Sequence, residues 1–417
     1  MALFKRKGGR KAKSEHYIAL DVGTEFIKCL VFRKEHNRCF VLGKSRVKHT
    51  VGSMRGGMII NIPQVIPDLK KALDIATNMA GVSPKNLIVS LPGDLVKSLV
   101  TTVHYHRSHP ESHLDASELK NIIYKVQWKA YEQMRSLISK QQEEPNLDVK
   151  LINTSVIDVR IDGYKIDNPL GFQGGKVTLS IFNAFAPLVH LGALQAVADE
   201  LDLDLISVAA GPYAFSMSLA PKHSEFSAIF IDIGAHTTDI VVVSEGGIVG
   251  IQNFALGGHA FNKSLSQALK VSSDKIEKTK VDYAKGSLHK KFQTQLKEVF
   301  KTTALVWVGG IAAGLGEFTH LDVLPNRIFI SGGGANLPEI KNALMTKSWT
   351  HNLPFAKKPY PSIIELDAID KIVIEGDLQI SLSDTVVLGL AHLTLETDLS
   401  EDVVSTMLRR IILSMQA

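Results

Sequence analysis

Cysteine is almost missing from this chain: Cys29 and Cys39 are the two present in 417 residues. That excludes a disulfide framework, and both thiols read as reduced, as in a cytoplasmic protein. Long apolar runs are missing too. The longest uncharged stretch beside a predicted helix, residues 304–315, contains glycines and falls short of the about twenty residues a bilayer span needs, so no transmembrane helix is expected. A large excess of one charge is also missing. The net charge is +5, and Lys5, Arg6, Lys7, Arg10, Lys11 and Lys13 crowd into the first residues, leaving the remainder nearly neutral. This arm, 1–15, reads either as a solubilising tail or as a contact for anionic lipid. No apolar stretch follows it, so it is not a secretory signal. His104, His106, His109 and His113 lack the cysteine or carboxylate partners that would complete a zinc site. Tyr124, Trp128 and Tyr131 share one predicted helix and read as packing, so no nucleic-acid partner is expected.

What is present is a repetition. Asp21-Val22-Gly23-Thr24 and Asp232-Ile233-Gly234-Ala235-His236-Thr237-Thr238-Asp239 each follow a buried strand (17–20; 228–231) and precede a β-branched run (27–32; 240–243). Each reads as a hairpin with a tight polar turn. Glycine lets backbone N–H groups approach phosphate oxygens, threonine adds hydroxyl donors, and aspartate can hold the water shell of a magnesium ion. Two such turns facing each other would clamp a nucleoside triphosphate. Lys28, beyond the first turn, reads as a surface cap, whereas Asp239 either positions attacking water or satisfies turn amides. A third run, 327–340, joins an apolar strand to Gly332-Gly333-Gly334-Ala335-Asn336 and a helix start, where three glycines leave room for a flat base against backbone.

In this order the three runs resemble the phosphate-1, phosphate-2 and adenosine motifs of the superfamily of actin, heat-shock chaperone ATPases and sugar kinases, over about residues 16–395. The resemblance implies an α/β, actin-like duplicated ATPase fold with two lobes. The expected organisation is a basic arm (1–15), first lobe (16–86), an inserted α/β subdomain (87–184), the first lobe continued (185–225), and a second lobe (226–382) with a reduced upper subdomain (258–326). A return helix (383–395), a linker (396–402) and a C-terminal amphipathic helix (403–417) complete it. Two helices are expected between 184 and the strand 205–209.

Within that superfamily the chain is similar to FtsA, the actin-like cell-division protein, with the pilus-assembly protein PilM as close rival. The likeness rests on residues 54–62 (Met-Arg-Gly-Gly-Met-Ile-Ile-Asn-Ile), on Asn168-Pro169-Leu170-Gly171 in the insertion and on the insertion's place. It also draws on Glu277-Lys278-Thr279-Lys280 after Gly257-Gly258, and on the apolar stripe Val404, Met407, Leu408, Ile411, Ile412 and Met415, with Arg409 and Arg410 opposite, which reads either as a helix packed on the core or as an interfacial anchor. A surface ion pair is the ordinary reading of Glu277 and Lys280; the resemblance implies that they receive ribose. The short stretch between 277 and 327 moves the chain toward PilM.

The resemblance further implies ATP and Mg2+ as cofactors, with Asp21 and Asp232 holding magnesium through water and Asp239 by the attacking water. Gly23, Thr24, Gly234, Thr237 and Thr238 would serve phosphate, and Gly257, Gly258, Gly332, Gly333, Gly334 and Asn336 would frame the nucleoside. The implied partners are other copies of the chain, the tubulin-like FtsZ or further division proteins, and an anionic membrane surface reached by the C-terminal stripe from the cytoplasmic side. A PilM-like protein would instead bind the tail of a pilus inner-membrane protein. A small-molecule kinase would need a general base, and none can be named.

Overall fold

The computed structural model describes residues 15–50, 52–141, 148–220, 226–269, 273–366, 369–399 and 404–408. One strand plan is used twice. β1 (Glu15–Val22), β2 (Phe26–Glu35) and β3 (Arg38–Lys48) form an antiparallel meander. Its second turn places His36 and Asn37 at φ 46° and 60°, as a two-residue hairpin turn demands. A small hairpin, β4 (Met54–Arg55) and β5 (Met58–Ile59), leads to α1 (Ile62–Ala80). Asn61 caps that helix by accepting from the Gln64 backbone N–H, and Gly81 ends it in the left-handed conformation. β6 (Asn86–Leu91) then returns parallel to β1.

The insertion follows as β7 (Lys97–His106), α2 (Ala116–Gln141), β8 (Val149–Ile161), β9 (Tyr164–Lys165) and β10 (Lys176–Pro187), with strand order β7-β10-β8-β9. It has a core of its own, in which Ile122, Val126 and Met134 of α2 meet Leu179 and Ile181 of the sheet. α3 (Leu188–Glu200), β11 (Asp204–Ala210) and α4 (Gly211–Leu219) lead back to the first lobe.

The second half repeats the meander as β12 (Ala228–Ile233), β13 (Thr238–Ser244) and β14 (Gly247–Phe254). Three helices come next: α5 (Gly258–Leu269), α6 (Ser273–Ala284) and α7 (Lys290–Gly316). β15 (Arg327–Ser331) then pairs parallel with β12, as β6 does with β1. α8 (Pro338–Leu344), β16 (Tyr360–Ile363), β17 (Ile372–Ile374) and α9 (Thr385–Leu399) close the fold. The two large sheets have orders β11-β6-β1-β2-β3-β17 and β14-β13-β12-β15-β16. One core cluster is common to both, and within it Phe215 of α4 meets Phe230 of β12 edge-on, centroids 5.8 Å apart.

Five expectations change. Residues 87–91 belong to the first sheet and not to the insertion, because β6 is hydrogen-bonded between β1 and β11. A single helix, α3, stands between β10 and β11. α7, at 27 residues, is long and apolar enough to cross a membrane by length and composition, although Leu296, Phe300, Trp307, Ile311 and Leu315 are buried in the second lobe. Trp128 is 68% exposed and Tyr124 38%; of the three aromatics on α2, Tyr131 alone packs, edge-on to Phe185. The C-terminal stripe, finally, does not begin as a free helix. Val404 and Leu408 are buried in the insertion's core and Met407 packs against it, since apolar side chains gain more by burial than by staying in water. The basic cluster in 1–14, and Arg409, Arg410, Ile411, Ile412 and Met415, lie outside the described residues.

Candidate functional site

The repeated meanders bring two equivalent turns face to face. In the first, Gly23 N–H donates to the Phe26 carbonyl at 3.1 Å; in the second, Gly234 N–H donates to the Thr237 carbonyl at 2.9 Å. The strand registers match as well, pairing Asp21 with Lys28 and Asp232 with Asp239. Lys28 and Asp239 therefore occupy corresponding places. A cleft of about 560 Å³ opens between the turns, lined by Asp21, Gly23, Thr24 and Lys28 on one side and by Asp232, Gly234, Thr237 and Asp239 on the other. Gly258, Glu277 and Lys280 line it from α5 and α6, and Gly333, Gly334 and Asn336 from the turn after β15.

Three expected residues stand behind this wall. Thr238 is fully buried; its hydroxyl donates to the Leu256 carbonyl at 2.6 Å and accepts from Trp307 Nε1 at 2.9 Å. Its side chain has no donor left for a ligand, so it is a structural anchor. Gly332, at φ 87°, is a backbone requirement: a Cβ there would strike Asp232 and the Ile233 carbonyl. Gly257 likewise leaves no space, since a Cβ would lie 2.6 Å from the Gly234 carbonyl. The N–H groups of Gly258 and His259 donate to the carbonyls of Gly234 and Ala235 at 2.9 and 2.8 Å, which fixes the start of α5 on the second turn.

Lys28 corrects the surface reading: it is largely buried on the cleft floor, Nζ 2.8 Å from Asp21 Oδ2. Burial works to lower its pKa, but the charge and hydrogen bond of Asp21 prevail and hold it raised. Ser90 Oγ donates to the other Asp21 oxygen at 2.6 Å. Asp232 and Asp239 are different, each with a buried Oδ1 that has no hydrogen-bond partner. Burial first, and the Asp21 charge second, push Asp232 up to about 6 against the pull of Lys28. Asp239 is raised well above the usual carboxylate range by burial and by Asp232, Asp94 and Asp21. Such stacked, unsatisfied carboxylates are costly and fit a cation between the lobes. Among the described residues no three His, Cys, Asp or Glu side chains converge closely enough to ligate a metal directly; of the two expected magnesium residues Asp232 keeps an unpartnered oxygen, while both oxygens of Asp21 already accept from Lys28 and Ser90.

Sequence reading missed Asp94, whose Oδ1 is buried without a partner and whose pKa is raised by burial. It missed the cleft mouth as well. There Glu25 Oε2 pairs with His259 Nε2 at 2.9 Å and Oε1 with Lys48 Nζ at 3.0 Å, while His236 stacks on His259 at 4.2 Å. Burial alone would raise Glu25, but its bonds to His259 and Lys48 hold it down to about 2. The register opposite Asp21 was a usable signal for Lys28. Glu25 and His259 stand far apart in sequence, and no local pattern joins them.

Comparison with known proteins accords with this geometry. The family model described as Cell division protein FtsA matches residues 229–353. The FtsA of Streptococcus pneumoniae serotype 2 (strain D39 / NCTC 7466) is 24% identical over 274 residues, covering 65% of this chain and 56% of that protein. The FtsA of Bacillus subtilis (strain 168) is 22% identical over 272 residues, 64% of this chain and 58% of the relative. The chain thus spans less than two thirds of the length of these curated relatives. Among solved structures, a chain of the PilM-PilN type IV pilus biogenesis complex superposes with a TM-score of 0.65 at 14% identity, covering 91% of this chain and 98% of that one. The expected likeness to FtsA, with PilM as rival, is borne out, and the fold is the actin-like one.

Proposed function

We propose that this chain is an ATP- and Mg2+-binding switch of the FtsA type, whose bound nucleotide sets the angle between two lobes and thereby governs self-association and recruitment of division proteins, an FtsZ-like tubulin homologue among them. The observation that carries the reading is the pair of matched turns with unpartnered buried oxygens of Asp232 and Asp239 between them. Gly23, Thr24, Gly234 and Thr237 would hold phosphates, Asp21 and Asp232 the hydrated cation, Glu277 and Lys280 the ribose, and Gly333, Gly334 and Asn336 the base. When bound, the magnesium ion supplies charge neutralisation for the phosphates. Phosphoryl transfer depends on placement more than on a nucleophilic side chain, so a slow ATPase in which Asp239 orients water is the expected chemistry.

The protein would act at the cytoplasmic face of the membrane. A PilM-like adaptor that binds the tail of a pilus inner-membrane protein is the second reading. It is favoured by the match to nearly the whole of the pilus-complex chain and by the burial of Val404 and Leu408. Titration with a fluorescent ATP analogue, with and without Mg2+, tests the shared premise: saturable binding strengthened by Mg2+ is expected, and its absence would overturn both readings. Co-pelleting with FtsZ filaments separates them, since only the FtsA-type reading expects it.

A further inference from the structure

On the outer face of α2, Tyr124 and Trp128 lie at i and i+4 and are 38% and 68% exposed, the latter among the most exposed large apolar side chains described. Cations surround them. Lys120 Nζ sits 5.7 Å from the centre of the Tyr124 ring, Lys125 Nζ 4.5 Å from that of Tyr105, and Lys129 donates to the Thr102 carbonyl. Arg135 follows on the exposed side. The acids of the described helix are two: Glu118, which is paired with buried Arg107, and Glu132.

We infer that this ridge is a contact surface for an anionic lipid membrane. The ridge is convex and carries two amphipathic rings, the side chains that settle at the headgroup level. The flanking ammonium and guanidinium groups complement anionic headgroups. The other side of this helix fills the insertion's core, so the ridge is its outward face. The C-terminal segment 404–408 packs into that same core, so the inserted subdomain carries both the ridge and the start of the apolar stripe. The inference rests on the membrane-peripheral reading above and assigns the contact to a different element.

The three tryptophans make the test direct, because Trp307 and Trp349 are 1% and 7% exposed and Trp128 alone faces water. The full chain is mixed with phosphatidylglycerol vesicles or with phosphatidylcholine vesicles, and both emission and sedimentation are followed. A blue shift with the anionic vesicles only, lost in Trp128→Phe and reversed by salt, is expected; Lys125→Glu combined with Lys129→Glu should weaken sedimentation several-fold. Sedimentation without a Trp128 shift overturns the ridge while leaving the membrane reading intact. Absence of sedimentation overturns both. A shift produced by polyglutamate and not by vesicles overturns the lipid assignment in favour of an acidic protein segment.

Discussion

Asp232 is placed for binding at the expense of stability. The unfolded carboxyl loses its proton near its usual value of 3.8, the folded one at about 6. Across that window the folded state holds more protons, so stability falls as pH rises, and the full penalty, on the order of 3 kcal/mol, is present above pH 6. Asp232→Asn should therefore raise the melting temperature of the unliganded protein at pH 7, by less at pH 5, and abolish any Mg2+-dependent gain in nucleotide affinity; thermal melts at both pH values read this directly. Thr238 has the opposite character. Thr238→Val leaves the Leu256 carbonyl and the Trp307 N–H without partners, a loss of about 1–3 kcal/mol in urea denaturation, with nucleotide affinity unchanged. Both residues belong to the same legible motif. The sequence pattern marks Asp, Gly and Thr as turn chemistry but is silent on which hydroxyl faces the cleft, because that depends on a tryptophan far along the chain.

Whole elements were legible where local patterning and burial agree. The two hairpins and the glycine turn after β15 stand where the motifs placed them, since alternating apolar residues ending in Asp-x-Gly have few other solutions. The membership of β6 was not legible: a short apolar run is equally at home in either sheet, and parallel pairing with β1 is decided by the whole chain. The same holds for α9, whose sequence shows a helix but not the intimacy of its packing. A Cβ on Gly389 would lie 2.5 Å from the Ala214 carbonyl of α4. Gly389→Ala is accordingly expected to force the two helices apart and to cost about 1–3 kcal/mol, despite alanine's better helix propensity. An unchanged denaturation midpoint would show that the crossing has slack.

At the scale of the molecule the lobes are joined unequally at their two ends. On the hinge side they share a continuous apolar core, including Phe215, Phe226, Phe230 and Val241, whose disruption would unfold both. At the mouth they meet through Glu25 of the first turn and His259 of α5, a pair whose histidine is 41% exposed. These are a few polar contacts with no shared apolar core behind them, so the mouth is the part that a bound ligand can open or close at the least cost to the fold. Lys48 on β3 and the His236 ring face the same pair, and Lys280, bonded to Glu277 and to the Gly258 carbonyl, stands beside it. Glu25→Gln removes the charge that holds both His259 and Lys48, so its expected effects are a larger radius of gyration in solution scattering and faster release of a fluorescent ATP analogue. Superimposable scattering and release in wild type and variant would mean that the shared core alone sets the lobe angle. Glu25, although in contact across the cleft, would then have no part in the switch.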